Sequence, residues 1–150
     1  MKVIIVTGTP GTGKTRIAKN FSKENKYIYL DVKSIIKKNK LNEGYDRKRK
    51  TYVVDTNKLN KILISDYITP LKKDMRIKGL VIDSHLSHYL PNKYVDLCIV
   101  TKCSLKKLKR RLENRGYNEK KIRENLDCEI FDICLYEAKE AGHKIKVINT

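Results

Sequence analysis

Residues 8–15 read GTPGTGKT and match the phosphate-loop pattern G-x-x-x-x-G-K-[ST] in full. Glycines at these spacings let the backbone curl so that its N–H groups point at phosphate oxygens. In this pattern the lysine, here Lys14, reaches the β- and γ-phosphates, and the hydroxyl of Thr15 ligates Mg²⁺. The first chemistry that the sequence predicts is therefore the binding of a nucleoside triphosphate with Mg²⁺.

The residues on both sides of this segment supply the strand and the helix that a phosphate loop requires. Residues 2–6 (KVIIV) predict a strand buried on both faces, and Ile17, Ala18 and Phe21 have helical spacing after the loop. A helix that begins near Lys14 adds positive potential at the same place. This context favours a phosphate loop over the alternative, a chance glycine-rich turn.

A second pair of candidates lies at the end of another predicted strand, residues 79–83. Asp83 ends its apolar run, and a carboxylate there can hold Mg²⁺ or its water shell beside the phosphate loop. The alternative is an Asp that only starts a turn. His85 would share a face with Asp83 if the strand continued, and it would then orient a water or a phosphate group. Otherwise His85 is a solvated residue at a strand end.

A basic helix provides further candidates for phosphate contacts. Lys107, Arg111 and Arg115 are spaced four residues apart, which places them on one side of a helix, and Gly116 follows directly. An arginine fork can bridge the oxygens of a moving phosphoryl group, and a glycine corner lets such an arm close. A solvated basic face is the alternative.

Strand-like and helical segments alternate along the chain, which predicts an α/β fold with a five-stranded parallel sheet between two helical layers. One domain spans residues 1–150. The predicted strands are 2–6, 27–31, 79–83, 95–100 and 144–148, and the predicted helices are 14–24, 32–40, 56–74, 104–115 and 118–141, with Gly142 after the last. The last helix carries an apolar stripe of Ile122, Leu126, Ile130, Ile133, Cys134 and Ala141. Ligands bind at the carboxyl ends of the strands in such sheets, so the candidates should converge there.

Several motifs together resemble a known kinase family. They are the phosphate loop, VIDSH at 81–85 with YLP at 89–91, and RLENRGYNEKK at 111–121 with CEIF at 128–131. With them the chain is similar to the adenylate kinase isoenzyme six family, which includes the coilin-interacting nuclear ATPase of eukaryotes and relatives in archaea. The match runs from the first strand to about residue 138. It implies a P-loop NTPase with a nucleoside monophosphate kinase-like fold, which transfers a phosphoryl group from ATP to AMP or a related monophosphate and also hydrolyses ATP.

The resemblance also implies roles for individual residues. ATP would be bound by Gly11, Gly13, Lys14, Thr15 and Arg16. Residues 31–54 would bind the monophosphate, and residues 114–124 would form a short lid in which Arg115 touches phosphate. Asp83 and His85 match an Asp-x-His element linked to ATP hydrolysis. Residues 47–50 are RKRK where eukaryotic relatives carry acids, so no individual monophosphate contact is carried over there. Little chain follows the last strand, from which we expect loose selection of the base.

The family further implies a role in maturation of the small ribosomal subunit and its rRNA, with a platform ribosomal protein, universal small-subunit protein eleven, as partner. A net charge of +17, from 34 Lys and Arg against 17 Asp and Glu, would attract rRNA phosphates. Host composition or a hot habitat would explain the same charge equally well. The alternative to a broad-specificity nucleoside monophosphate kinase is a ribosome assembly ATPase with incidental kinase activity.

Other classes fit the sequence less well. No run approaches a membrane span and no signal peptide is visible, so a cytoplasmic protein without membrane contact is expected. The four cysteines form no C-x-x-C pair, which predicts buried free thiols rather than disulfides or a zinc site. Residues 101–104 (TKCS) stand where a small GTPase would have T-K-x-D, but Ser104 replaces the carboxylate that reads guanine.

Overall fold

The computed structural model describes residues 1–46 and 51–150, and its strands form two sheets. The strands are, in chain order, β1 (Lys2–Gly8), β2 (Ile28–Asp31), β3 (Asn42–Asp46), β4 (Thr51–Val54), β5 (Gly79–Asp83), β6 (Leu97–Lys102) and β7 (Ile145–Asn149). Five of them pair in parallel in the order β2-β5-β1-β6-β7, which confirms the predicted sheet. β3 and β4 form a separate antiparallel hairpin that we did not predict, and the basic run at 47–50 lies outside the described residues.

Helices connect the strands of the parallel sheet. They are α1 (Lys14–Asn25), α2 (Val32–Lys38), α3 (Thr56–Ile62), α4 (Thr69–Lys72), α5 (Leu105–Asn114), α6 (Glu119–Ile130) and α7 (Ile133–Glu140). A π-helical segment, Leu63–Ile68, joins α3 to α4, so the predicted helix 56–74 is interrupted by a change of winding before Pro70. Short 3₁₀ turns lie at Ser87–Tyr89 and Asn92–Tyr94.

The prediction of one continuous helix over 118–141 is wrong. Asp132 has a φ of 52°, a left-handed conformation that Asp tolerates better than most residues, and it separates α6 from α7. The expected apolar stripe is interrupted there, because Ile130 and Ile133 are 52% and 39% exposed. The end of α7 is as predicted: Gly142 has a φ of 78°, and its N–H donates to Lys139 O over 3.0 Å.

The central strands are buried on both faces and fix the position of the site. Val3 and Ile5 of β1 face one apolar cluster, while Ile4 and Val6 face the other. In the parallel register Val6 pairs with Asp83, the last residue of β5. The phosphate loop that follows β1 and the carboxylate that ends β5 are therefore neighbours at the carboxyl edge of the sheet.

The four cysteines are free thiols, but only Cys98 is buried, so the prediction of buried thiols is wrong for the other three. Those three, Cys103, Cys128 and Cys134, lie on helices or loops that cover the sheet and are partly exposed. Within the part of the chain that the structure describes, no helix is long and apolar enough to cross a membrane.

Candidate active site

The phosphate loop leaves β1 and turns into the first residue of α1. Gly11 and Gly13 have φ angles of 96° and 92°, which residues with a Cβ rarely adopt. The turn closes because Thr12 N donates to Thr9 O over 3.2 Å. This strand–turn–helix geometry directs backbone N–H groups toward a phosphate and places the start of the helix behind them.

Buried threonine hydroxyls attach the loop to the neighbouring strand. Thr12 Oγ1 donates to Thr9 O over 2.6 Å and lies 2.7 Å from Thr101 Oγ1 on β6. Thr101 Oγ1 in turn donates to Thr7 O over 3.3 Å. Side chains of this size fill the space under the loop, so its backbone is held in place before any ligand binds.

Lys14 lies half-buried inside the curve of the loop. Its Nζ donates to Thr9 O over 3.3 Å. Burial lowers the pKa of Lys14 to about 8. Cys134 and Asp83 oppose this shift, and the charge of Arg115 adds to it. An ammonium that rests on one carbonyl can exchange this contact for the oxygens of a bound triphosphate.

Asp83 ends β5 with its carboxylate turned toward the start of α1. Its Oδ2 accepts hydrogen bonds from Thr15 Oγ1 over 2.8 Å and from Tyr29 OH over 2.7 Å. A carboxylate and a hydroxyl are hard oxygen donors of the kind that Mg²⁺ takes together with phosphate oxygens and water. The predicted pair, Thr15 and Asp83, therefore fits a Mg²⁺ ion that arrives with a triphosphate.

Tyr29 is a site residue that the sequence analysis missed. It lies on β2, which pairs with β5, and its ring extends to the carboxylate at the end of that neighbouring strand. Burial and the hydrogen bond to Asp83 raise the pKa of the Tyr29 phenol, so the hydroxyl donates at neutral pH. A polar residue near the carboxyl end of a strand is visible in the sequence, but the pairing of β2 with β5 is not.

His85 lies near the site, but a turn places it there, and not β5 as we had expected. β5 ends at Asp83, so the strand does not continue to carry His85 on the same face, and that expectation is wrong. A turn follows, in which Leu86 N donates to Ser84 Oγ over 3.0 Å. His85 is exposed at the surface. Desolvation by the residues around it and the charge of Lys14 lower the pKa of His85, so its imidazole is neutral at pH 7.

The corner between α5 and α6 is a Schellman motif. Gly116 has a φ of 76°, its N–H donates to Glu113 O over 2.9 Å, and Tyr117 N–H donates to Leu112 O over 3.2 Å. Tyr117 packs with Leu112 in a small apolar cluster. Arg115, directly before the glycine, is exposed, and its charge reaches Lys14.

The basic side chains of α5 are not all solvated. Arg111 Nη1 donates to Gly11 O over 3.2 Å and to Thr150 Oγ1 over 3.1 Å, so it braces the phosphate loop from outside. Lys107 Nζ donates to Thr150 O over 3.4 Å. The alternative of a solvated basic face is therefore wrong for Arg111. Arg16 lies on the exposed face of α1.

His88 and His143, to which the sequence analysis gave no role, are buried. His88 Nδ1 lies 2.6 Å from Thr7 Oγ1, and its Nε2 lies 2.6 Å from Glu137 Oε2 on α7. His143 Nε2 lies 2.9 Å from His88 O. These contacts connect the end of β1, directly before the phosphate loop, to α7.

A groove of about 240 Å³ opens beside Tyr29, between β2, α2 and the π-helical segment. Tyr29 both lines this groove and donates to Asp83, so one residue connects the groove with that carboxylate. α2 forms the wall of the groove, and Asp31 caps the start of this helix, with its Oδ1 accepting a hydrogen bond from Lys33 N over 3.0 Å. The lining residues are Tyr29, Leu30, Asp31, Ser34, Ile35, Lys38 and Tyr67.

Comparisons with known proteins agree with this geometry. Residues 4–132 match the model of the AAA domain family. A sugar kinase from Janibacter sp. has a TM-score of 0.61 at 16% identity, covering 99% of this chain and 85% of that one. A deoxyadenosine kinase from M. mycoides with bound dATP has a TM-score of 0.50 at 16% identity, covering 99% and 90%. At these identities the structures show the fold, which is that of P-loop kinases.

Relatives in sequence are more similar. An adenylate kinase isoenzyme 6 homolog from Dictyostelium discoideum is 37% identical over 92% of this chain and 74% of its own length. Homologs of the same name from Schizosaccharomyces pombe and Caenorhabditis elegans are 38% and 35% identical over 92% of this chain, and over 74% and 72% of their own lengths. Together with the phosphate loop and the carboxylate beside it, these similarities show that the chain belongs to the adenylate kinase isoenzyme 6 family of nucleotide kinases.

Proposed function

We propose that this chain is a nucleoside monophosphate kinase of broad specificity, which transfers the γ-phosphoryl group of ATP to AMP or a related monophosphate. The convergence of Lys14, Thr15 and Asp83 at one edge of the sheet supports this proposal most directly. It combines a cation for the phosphates with two oxygen donors for Mg²⁺. The backbone of Gly11 and Gly13 and the side chain of Arg16 complete the ATP site in this proposal.

The transfer needs positioning and charge neutralisation rather than a protein nucleophile. Lys14 would bind the β- and γ-phosphates, and Mg²⁺ held near Thr15 and Asp83 would neutralise their charge. Arg115 would approach the moving phosphoryl group when the lid, residues 114–124, closes over the loop. Its exposed position beside Gly116 is consistent with an arm that contacts phosphate only in the closed state.

The groove beside Tyr29 is our candidate for the acceptor site. It is connected with Asp83 by Tyr29, and its wall is α2, within the segment 31–54 that the family uses for the monophosphate. Ser34 and Lys38 offer a hydroxyl and a cation for a monophosphate, while Tyr67 and Ile35 offer apolar surface for a base. An acceptor there would face the γ-phosphate across the metal carboxylate.

A panel of nucleoside monophosphates, incubated with ATP and Mg²⁺ and followed by product chromatography, tests the proposal. We expect AMP to consume ATP with the formation of two ADP, and we expect several other monophosphates to react. Protein carrying Lys14→Ala, purified in the same way, controls for contaminating kinases. ATP consumption that no monophosphate accelerates would contradict the kinase proposal.

We propose that the same site hydrolyses ATP slowly, with His85 orienting the water. His85 is neutral at pH 7 and lies within electrostatic reach of Lys14, so its ring can form a hydrogen bond with a water near the phosphates. His85→Ala should lower ATP hydrolysis more than phosphoryl transfer to AMP, while Asp83→Ala should impair both. Equal loss of both reactions in the His85 variant would remove this role.

A second role, in maturation of the small ribosomal subunit, rests on the family resemblance, and the charge of the chain fits it. The net charge of +17 exceeds what a nucleotide needs, and the lysines of α2 and the residues Lys106, Lys109 and Arg110 of α5 are exposed. We propose contacts with rRNA phosphates and with a platform protein of the subunit, by family resemblance universal small-subunit protein eleven. Free thiols fit the reducing cytoplasm, where we place this activity.

A pull-down from ribosomal extract at low and moderate salt, with and without ATP, tests the ribosomal role. Phosphate contacts weaken steeply with salt because counterions are released on binding. A protein contact with an apolar centre survives moderate salt, and it should respond to ATP if the lid takes part. Recovery of one small-subunit protein at both salts would support the role. Recovery of bulk RNA at low salt alone would leave a basic nucleotide kinase.

A further inference from the structure

Glu129 is a buried carboxylate in contact with the phosphate loop, and phosphoryl transfer as proposed above does not use it. It lies near the end of α6 and is 6% exposed. Its Oε1 accepts hydrogen bonds from Thr9 Oγ1 over 3.2 Å and from Lys102 Nζ over 3.1 Å. Its Oε2 accepts one from Cys103 N over 3.0 Å. One side chain therefore joins α6, the end of β6 and the phosphate loop.

A buried negative charge beside an anion-binding loop would repel phosphate unless a cation accompanies it. Lys102 supplies that cation and also forms an ion pair with Asp132. Burial alone would lower the pKa of Lys102, but Asp132 and Glu129 raise it above its ordinary value, so its ammonium stays charged. The ion pair with Lys102 offsets the repulsion between the Glu129 carboxylate and a bound phosphate. The hydrogen bonds of Glu129 are kept.

Thr9 is the residue through which Glu129 acts on the loop. Thr9 is 2% exposed, and its hydroxyl is bonded to Glu129. Its carbonyl accepts hydrogen bonds from Lys14 Nζ, from Thr12 Oγ1 and from Thr12 N. A rotation of the Thr9 peptide would turn this carbonyl away from all three donors. Fixing the Thr9 side chain therefore fixes the carbonyl around which the loop and its lysine are arranged.

We infer that Glu129 is a positioning residue of the phosphate loop, which holds Thr9 so that the loop is in its triphosphate-binding conformation before ATP arrives. The inference rests on the proposed function, because ATP binding is what the arrangement serves. It also explains residues 102 and 103 of the TKCS segment, which bind this carboxylate instead of reading a guanine base. The lid helix α6 is thereby connected at its far end to the loop that it would cover.

Two substitutions test the hydrogen bond between Thr9 and Glu129, one at each residue. Thr9→Val keeps the shape of the side chain and removes the hydroxyl. Glu129→Gln keeps the shape and leaves one acceptor oxygen for three donors, so it cannot satisfy Thr9, Lys102 and Cys103 together. Each variant should raise the Kd for ATP·Mg²⁺, measured by titration calorimetry, about tenfold. The loss in the double variant should be smaller than the sum of the two single losses, because Thr9→Val already removes the contact that Glu129→Gln weakens.

Controls separate positioning from stability. Thr9→Ser keeps the hydroxyl and should restore wild-type affinity. Asp132→Asn removes the other partner of Lys102 and keeps a residue that tolerates positive φ, and among the described residues Asp132 has no hydrogen bond or ion pair with the loop. It should lower the melting temperature without changing the Kd for ATP. In steady state, Thr9→Val should raise KM for ATP and leave KM for AMP unchanged, whereas a merely structural loss would lower the active fraction and change neither KM.

The outcomes are distinguishable. Failure of the wild-type chain to bind ATP would overturn the proposed function and this inference with it. Wild-type affinity in folded Thr9→Val and Glu129→Gln variants would overturn the inference alone. Additive effects of the two substitutions would do the same, since independent effects exclude a shared contact. Tenfold, non-additive losses with rescue by Thr9→Ser would establish it.

Discussion

The phosphate loop and the lid corner are both turns built on a glycine with positive φ, but their surroundings differ. A Cβ on Gly8 would lie 2.4 Å from Thr101 Oγ1 and 2.7 Å from Thr101 O, at a φ of 147°. A Cβ on Gly116, at a φ of 76°, would meet no heavy atom within 4 Å among the described residues, apart from its chain neighbours. One glycine is therefore required by both conformation and packing, and the other by conformation alone.

Phosphoryl transfer requires a fixed phosphate loop and a lid that moves, and the packing around the two glycines differs in the same way. Donors that stabilise developing charge are most effective when they are fixed in advance, because no reorganisation accompanies the reaction. A lid must instead open and close in each cycle to exchange nucleotides and to exclude water. The packed loop and the open corner are thus the fixed and the movable halves of one proposed site.

Removal of the lysine in the fixed half should have the largest effect on turnover. Lys14→Ala should lower turnover about a thousandfold, because Lys14, which donates to Thr9 O inside the loop, is the side-chain cation proposed to bind the phosphates. Steady-state kinetics measures this loss, and circular dichroism checks that the fold is intact. Unchanged turnover in a folded variant would exclude the assignment of Lys14.

Removal of the cation in the movable half should have a smaller effect of a different kind. Arg115→Ala should lower kcat about a hundredfold and raise KM for ATP less, because an arm that closes late contributes most when charge is moving. Arg123→Ala is a matched control, since Arg123 is exposed on α6 and pairs with Asp127 instead. A change of KM alone in Arg115→Ala would assign this arginine to ground-state binding.

The pKa of Lys14 predicts that kcat/KM for ATP falls about tenfold per pH unit above this pKa. Burial lowers this pKa to about 8 in the free protein, and only the charged form binds phosphate well. The kcat/KM for ATP should therefore be constant below this pH and fall as pH rises above it. Lys14→Arg should bind ATP less well but without this decline, because arginine stays charged. A decline that persists in the variant would point to another group.

The parts of the site that could be predicted from sequence are those set by local pattern. The phosphate loop needs only an apolar strand, glycines at fixed spacing and a following helix, and Asp83 needs only an apolar run that ends in a carboxylate. Gly142 was predictable for the same reason, because a helix end with positive φ is a local requirement. In each case the decisive neighbours lie within a few residues along the chain.

The parts that could not be predicted depend on which strands become neighbours. Tyr29 meets Asp83 across 54 residues because β2 lies beside β5, and Glu129 meets Thr9 across 120 residues. The periodicity of apolar residues predicts where strands and helices lie along the chain, but it does not predict the order of the strands in the sheet. The turn after Asp83, which removed His85 from the strand, and the left-handed break at Asp132 also carry long-range contacts, from Ser84 N to Val6 O and between Asp132 and Lys102.

The smallest expected effect tests the comparison itself. Gly116→Ala should destabilise the chain by about 1–2 kcal/mol, the cost of a left-handed conformation for a residue with a Cβ, because there is room for the added methyl group. Gly8→Ala is the matched substitution in the fixed half. There the methyl group would also collide with the backbone of Thr101, so the loss of stability should be several times larger and ATP binding should be lost with it.

Chemical denaturation of both variants, with ATP titrations on the folded fractions, distinguishes the two halves of the site. If Gly116→Ala binds ATP as the wild type does but turns over more slowly, the corner acts through lid closure, which follows binding. The midpoint of unfolding should then shift only slightly, while that of Gly8→Ala shifts strongly. Equal shifts in the two variants would mean that the corner is packed as tightly as the loop in solution. The division into a fixed and a movable half would then fail, because an arm confined to that degree could not open and close around Gly116.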